Sequence, residues 1–193
     1  HAVMEEPGYP GIRSILTQTA ARLSTVAVDA DGLPPEALPP GADVVFVTPS
    51  HHCPTNATMP MARRLQLLAE ASRQGFVIVE DDYEFEMSFL RPVSPSLKSL
   101  DAEGRVIYAG SFSKSVFPGL RLGYLVAPEP FVREARALRA QVLRHPPGHV
   151  QRTLAHFLSL GHYDALINRM RRAYAWRRAC GWPVRRNGPA TEN

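Results

Sequence analysis

The chain has 193 residues, 45% of them hydrophobic and 21% charged, and its 22 basic against 18 acidic side chains give a net charge of +4. This is the composition of a globular domain able to bury a core, not of a disordered or fibrous chain. The charge bias is too mild to demand nucleic acid or an anionic membrane, and no apolar run reaches the roughly 18 residues of a membrane span.

The first residues lack the basic-then-apolar pattern of a signal peptide. Cys53 and Cys180 make no disulfide framework, so a reducing, cytoplasmic location is expected. The stretch from His1 to Glu6 reads as the end of a strand already under way, and the chain is expected to be a fragment.

In chain order, Asp43–Thr48 and Phe76–Val79 are short, β-branched and bounded by turn formers, the pattern of strands buried on both faces. Between them the spacing predicts a helix, with Thr58 as N-cap, Pro60 in the first turn, and an apolar stripe of Met61, Leu65, Leu68 and Ala69. Strand, helix, strand implies a parallel crossover. Val106–Ala109 and Leu122–Val126 repeat the strand pattern. After Pro128 the period becomes helical, with Phe131, Ala135, Leu138 and Val142 on one face, and Pro146-Pro147-Gly148 ends that helix. Two more helices follow, carried by Val150, Leu154 and Phe157 and then by Leu166, Ile167, Met170 and Tyr174, and from Cys180 onward no period remains. The expected division is 1–145 as a partial cofactor-binding domain, 146–179 as helices leading out of it, and 180–193 as an irregular tail.

Two clusters carry chemistry. Glu80-Asp81-Asp82-Tyr83 sits at the carboxyl end of a predicted strand, where open α/β sheets place their ligands. If the chain stays extended, Asp81 and Tyr83 share a side. Ser111-Phe112-Ser113-Lys114, followed by Arg121, closes another strand. Hydroxyls and a guanidinium suit a phosphate, and a lysine among them is free for other work. A carboxylate across the crevice suits a protonated ring nitrogen. Pyridoxal 5'-phosphate offers all of these handles: an aldehyde for Lys114, a pyridine nitrogen for Asp81, a phenolic oxygen for Tyr83 and a phosphate. The competing readings are a solvated loop charge for Lys114, helix caps or a divalent-metal pair for Asp81 and Asp82, and backbone-satisfying hydroxyls for Ser111 and Ser113. His51-His52-Cys53 invites zinc, but no second cluster completes four ligands, so no metal is assigned. His145 and His149 are separated by a Pro-Pro-Gly break that keeps them off one helical face. The arginines Arg169, Arg171, Arg172, Arg177 and Arg178 read as the solvated face of an amphipathic helix.

Asp81 and Lys114 are 33 residues apart, and Arg121 follows Lys114 by seven. With these spacings, the sequence resembles the fold type I aminotransferases, class I and II, over roughly residues 2–178. Thr48-Pro49-Ser50-His51-His52, Pro54-Thr55 and Glu6-Pro7-Gly8-Tyr9-Pro10 make it most similar to the aminotransferase-like domain of MocR-type regulators of the GntR family. The resemblance implies an α/β fold, a mixed, mostly parallel sheet sandwiched by helices in three α/β/α layers. It implies Lys114 as the Schiff-base lysine, Asp81 on the pyridine nitrogen, Tyr83 near the ring oxygen, Tyr9 stacked on the ring, and Ser111, Ser113 and Arg121 on the phosphate. For Tyr9, which follows Pro7-Gly8, the competing reading is a turn aromatic packed on the core. It further implies a homodimer when intact, an amino acid or amine ligand, and DNA contact only through a domain outside this chain. Catalytic members carry Asn-Pro-Thr-Gly where this sequence has Cys53-Pro54-Thr55-Asn56. That departure favours an effector-sensing domain over a transaminase that moves an amino group between an amino acid and a 2-oxo acid.

Overall fold

The computed structural model describes residues 1–83, 94–144 and 147–180. The strands are β1 Ala2–Glu6, β2 Leu23–Ala27, β3 Val44–Val47, β4 Val77–Asp82, β5 Val106–Ser111 and β6 Gly123–Val126. They form one sheet in the order β2-β1-β3-β4-β5-β6. β1 to β5 run parallel, and β6 returns antiparallel beside β5. The helices are α1 Pro10–Thr19, α2 Met61–Gln74, the single turn α3 Leu97–Leu100, α4 Glu129–Leu143, α5 Gly148–Ser159 and α6 His162–Ala179. The α/β class and the mixed, mostly parallel sheet are as the sequence implies. No helix among the described residues is long and apolar enough to cross a membrane. His145, Pro146 and the tail beyond Cys180 lie outside the described residues.

Side-chain alternation gives the sheet two apolar faces. On one, Val3, Val45, Val47, Ile78 and Val106 pack with Leu67 and Ala71 of α2 and Leu97 of α3. On the other, Ala2 and Met4 pack with Leu16 of α1, joined by Ile12, Val44 and Phe46. The β3–α2–β4 crossover is present, with Val44 paired to Val77 and Val47 to Glu80. Gly75 ends α2 in the left-handed conformation (φ 84°), and its N–H reaches the Ala71 carbonyl.

Three expectations need correction. Thr58 does not cap α2: Pro60 occupies the cap position without a side-chain bond, and the Thr58 hydroxyl donates to the Ser50 carbonyl at 3.3 Å. The buried stripe of α2 is Arg64, Leu67 and Ala71, while Met61 and Leu65 are exposed. Hydrophobicity pointed to the wrong edge because a charged residue, Arg64, opens the buried face. Third, Phe131, Leu138 and Val142 of α4 are exposed rather than packed. The stripes of α5 and α6 hold, with Leu154 and Ile167 buried.

Arg64 is fully buried. Its Nε donates to the Met59 carbonyl at 3.0 Å, one terminal nitrogen to Pro49 at 2.8 Å and the other to Pro95 at 3.1 Å. Glu80, also fully buried, lies 3.9 Å away and accepts from the Leu97 and Lys98 amides at 2.8 and 2.9 Å. Burial pushes the Glu80 carboxyl up and the Arg64 guanidinium down. A guanidinium stays protonated at neutral pH all the same, and the two amide donors oppose the effect of burial on Glu80. Removing one partner of such a pair leaves a buried charge uncompensated. Glu80→Ala should therefore destabilise this domain by about 3–5 kcal/mol in urea unfolding, whereas Arg73→Ala on the exposed side of α2 should leave the transition nearly unmoved.

Candidate functional site

Alternation along β4 sorts its carboxylates. Ile78, Glu80 and Asp82 are buried, while Val77, Val79 and Asp81 take the other side and are only partly covered. Glu80 is committed to α3 and Arg64, and Asp82 accepts from the Ser50 hydroxyl at 3.2 Å. Asp81 is left facing a narrow cavity of about 30 Å³ lined also by Glu5, Tyr9, Thr48 and Phe46. Burial raises its carboxyl above the ordinary range, and among the described residues it forms no ion pair. Tyr9, between β1 and α1, is 58% exposed, so much of its ring is open for stacking.

The next strand end carries the lysine. Past Ser111 the chain tightens: the Ser113 amide donates to the Ser111 hydroxyl oxygen at 3.1 Å, Phe112 donates to the Leu122 carbonyl at 3.0 Å, and Val116 to Phe112 at 2.9 Å. Lys114 is exposed on this turn, with Nζ 6.0 Å from the centre of the Tyr83 ring. Tyr83 follows β4 directly; its hydroxyl donates to the His51 carbonyl at 2.9 Å. Arg121 ends the 3-10 turn Pro118–Leu120 in the left-handed region, φ 49°, an uncommon conformation for a residue with a side chain. Tyr124 packs directly over Gly110: a Cβ there would lie 2.3 Å from its ring and would push the ring aside.

The structure thus brings Tyr9 and Asp81 to one cavity and Tyr83 to Lys114, all at the carboxyl edge of the sheet. Ser111 ends β5, and Ser113 and Arg121 stand on the connection that follows it to β6. His52 does not join Cys53 in a metal site. His52 is buried, with Nδ1 2.7 Å from the Thr55 hydroxyl, while Cys53 is exposed. Among the described residues no group of three His, Cys, Asp or Glu side chains could hold a metal.

Sequence reasoning missed Glu5, Thr48 and His52. Glu5 is 4% exposed; its Oε2 accepts from the Thr48 amide at 3.0 Å and the Thr48 hydroxyl at 2.6 Å, and lies 3.5 Å from His52 Nε2. Its signal was its parity with the buried Val3, two residues earlier, which marked an acid turned inward.

The sequence matches the class I and II aminotransferase family over residues 1–180. The HTH-type transcriptional regulator TauR of Rhodobacter capsulatus is 66% identical over 177 residues, 92% of this chain and 37% of that protein. The probable rhizopine catabolism regulatory protein MocR of Rhizobium meliloti is 40% identical over 90% of this chain and 36% of its own length. Among solved structures, the α-aminoadipate aminotransferase LysN of Thermus thermophilus, complexed with N-(5'-phosphopyridoxyl)-L-leucine, gives a TM-score of 0.83 at 30% identity, over 90% of this chain and 46% of that one. The chain therefore spans less than half the length of each of these proteins. With its match extending from residue 1 to residue 180, the chain belongs to the class I and II aminotransferase family.

Proposed function

We propose that this domain binds pyridoxal 5'-phosphate covalently through Lys114 and serves as the effector-sensing part of a MocR/GntR-type transcriptional regulator. The observation that carries the cofactor reading is Asp81: a carboxylate partly withdrawn from water, without a cation, in a cavity roofed by an exposed aromatic ring. A protonated ring nitrogen is the counter-charge that such a group lacks. The bound cofactor supplies an aldehyde that captures amines and a ring that withdraws electrons from them.

The chain's own residues do the rest. Asp81 keeps the ring nitrogen protonated. Tyr9 stacks, contributing about 1 kcal/mol beyond buried area. Ser111, Ser113 and Arg121 hold the phosphate, with Arg121 supplying a forked cation. Tyr83 gives its hydroxyl proton to the His51 carbonyl, so it becomes a donor to the ring oxygen only by exchanging that partner. Cys53, where the catalytic members have asparagine, supplies no amide to that oxygen. A ring oxygen with few donors suits ligand sensing better than fast turnover. The TauR and MocR relatives, both named as regulators, support the same reading. DNA contact then belongs to a domain outside this chain, and the intact protein is a cytoplasmic homodimer whose ligand is an amino acid or amine. The second reading, the large domain of a true transaminase, is favoured by the likeness to LysN.

Borohydride reduction of the intact protein with added cofactor should place the label on Lys114, and Lys114→Ala should abolish it; a label on another lysine overturns the assignment. Asp81→Ala should weaken cofactor binding on the order of 30-fold or more, and unchanged affinity removes Asp81 from the site. As a regulator, the cofactor-loaded protein should change its operator binding when an amine ligand is added, with no sustained transfer to a 2-oxo acid. Steady turnover with indifferent DNA binding favours the transaminase.

A further inference from the structure

Glu5 is the one acid on the cavity wall that the cofactor reading leaves without a role. It is 4% exposed, its Oε1 has no hydrogen-bond partner, and it shares the cavity with Asp81 and Tyr9. His52 Nε2 lies 3.5 Å from Glu5 Oε2, and the His52 ring also meets the Pro7 backbone. The distance alone reads as an ion pair. The electrostatics contradict that reading: burial pushes the Glu5 carboxyl up to about 7, against the two bonds from Thr48, and pushes the His52 imidazole down. Burial disfavours the charged form of each, so His52 is a poor counter-ion for Glu5.

The other groups facing Glu5 do not replace it. Asp81 from β4 adds like charge, Thr48 from the end of β3 gives only neutral donors, and Tyr9 heads α1. His51 adjoins His52 and further disfavours its cation. Glu6, next on β1, is paired with Arg13. No lysine or arginine among the described residues forms an ion pair with Glu5.

We propose that Glu5 is a second acid of the site: it stores a proton while Asp81 lacks a cation and releases it when a cationic ring nitrogen is seated there. The release, though not the storage, rests on the cofactor reading above. Two carboxylates on one poorly solvated cavity do not both ionise cheaply. A cation on Asp81 cancels the like charge that Glu5 meets, so the Glu5 O–H bond then breaks more readily and its proton passes to the buffer. By reciprocity, a ligand that drives off this proton binds more tightly as pH rises through the interval in which Glu5 titrates.

Storage is read without cofactor, from the carboxyl ¹³C resonance of Glu5 in the intact wild-type protein. A midpoint near 7 is expected, and an ordinary carboxylate midpoint overturns the proposal even if Glu5→Gln fails to fold. Release is read by calorimetry of pyridoxal phosphate binding in buffers of different ionisation enthalpy, wild type against Glu5→Gln. Wild type should release an extra fraction of a proton near pH 7 that fades toward about pH 5 and about pH 9, where Glu5 no longer changes state. Deprotonation of Lys114 contributes to both proteins and cancels in the difference. Normal capture with equal proton counts overturns the release alone; no capture by wild type overturns the cofactor reading and the release with it, while the NMR result still decides storage.

Discussion

Arg64 has no exposed surface, yet three carbonyls and the Glu80 carboxylate surround it. Those partners come from the chain after β3, the head of α2, the approach to α3 and the last residues of β4. A single guanidinium thus ties together four segments on the face of the sheet opposite Asp81. Because Glu80 is drawn to one face by Arg64 and the α3 amides, the pleat turns Asp81 to the other. The position of the candidate cofactor carboxylate is a consequence of where its neighbour is held.

The cavity beyond is defined by acids that burial leaves without full compensation. Asp81 has burial without a cation, and Glu5 has burial without a partner for one oxygen. Burying an unpaired charge is costly, and folds keep such groups where a ligand completes them. Tyr9 lines the cavity with Asp81, and Lys114 stands on the next strand end beside Tyr83; a carboxylate, an aromatic face and an amine are contacts that a phosphorylated pyridine aldehyde would use.

Much of this was legible in the residues. Val44–Val47 and Val77–Val79 are fully apolar because parallel strands are covered on both faces, and that pattern carries the crossover and hence the strand ends where Asp81 and Lys114 sit. The short helix α1 escaped notice because Gly11 and three hydroxyl-bearing residues give it weak propensity. Strand β2 escaped because it is an edge strand, half exposed, with serine and threonine at its centre. The buried stripe of α2 was misplaced since a pattern of apolar residues cannot announce a buried arginine. Parity marked Glu5 as turned inward, but its joining with Thr48 and His52 could not be read: these residues meet only when β1 and β3 pair, 43 residues apart in sequence between Glu5 and Thr48. The apolar face of α4 was read correctly as a face, but Phe131, Leu138 and Val142 remain uncovered by the described residues.

The central claim, that Asp81 holds a protonated ring nitrogen in the site anchored by Lys114, is tested most directly by ¹⁵N NMR of the intact protein loaded with pyridoxal phosphate labelled at the ring nitrogen. At neutral pH the wild type should give the resonance of a protonated pyridine, moving to that of a neutral pyridine in Asp81→Ala. A neutral pyridine in the wild type, or a protonated one that survives the loss of Asp81, would contradict it.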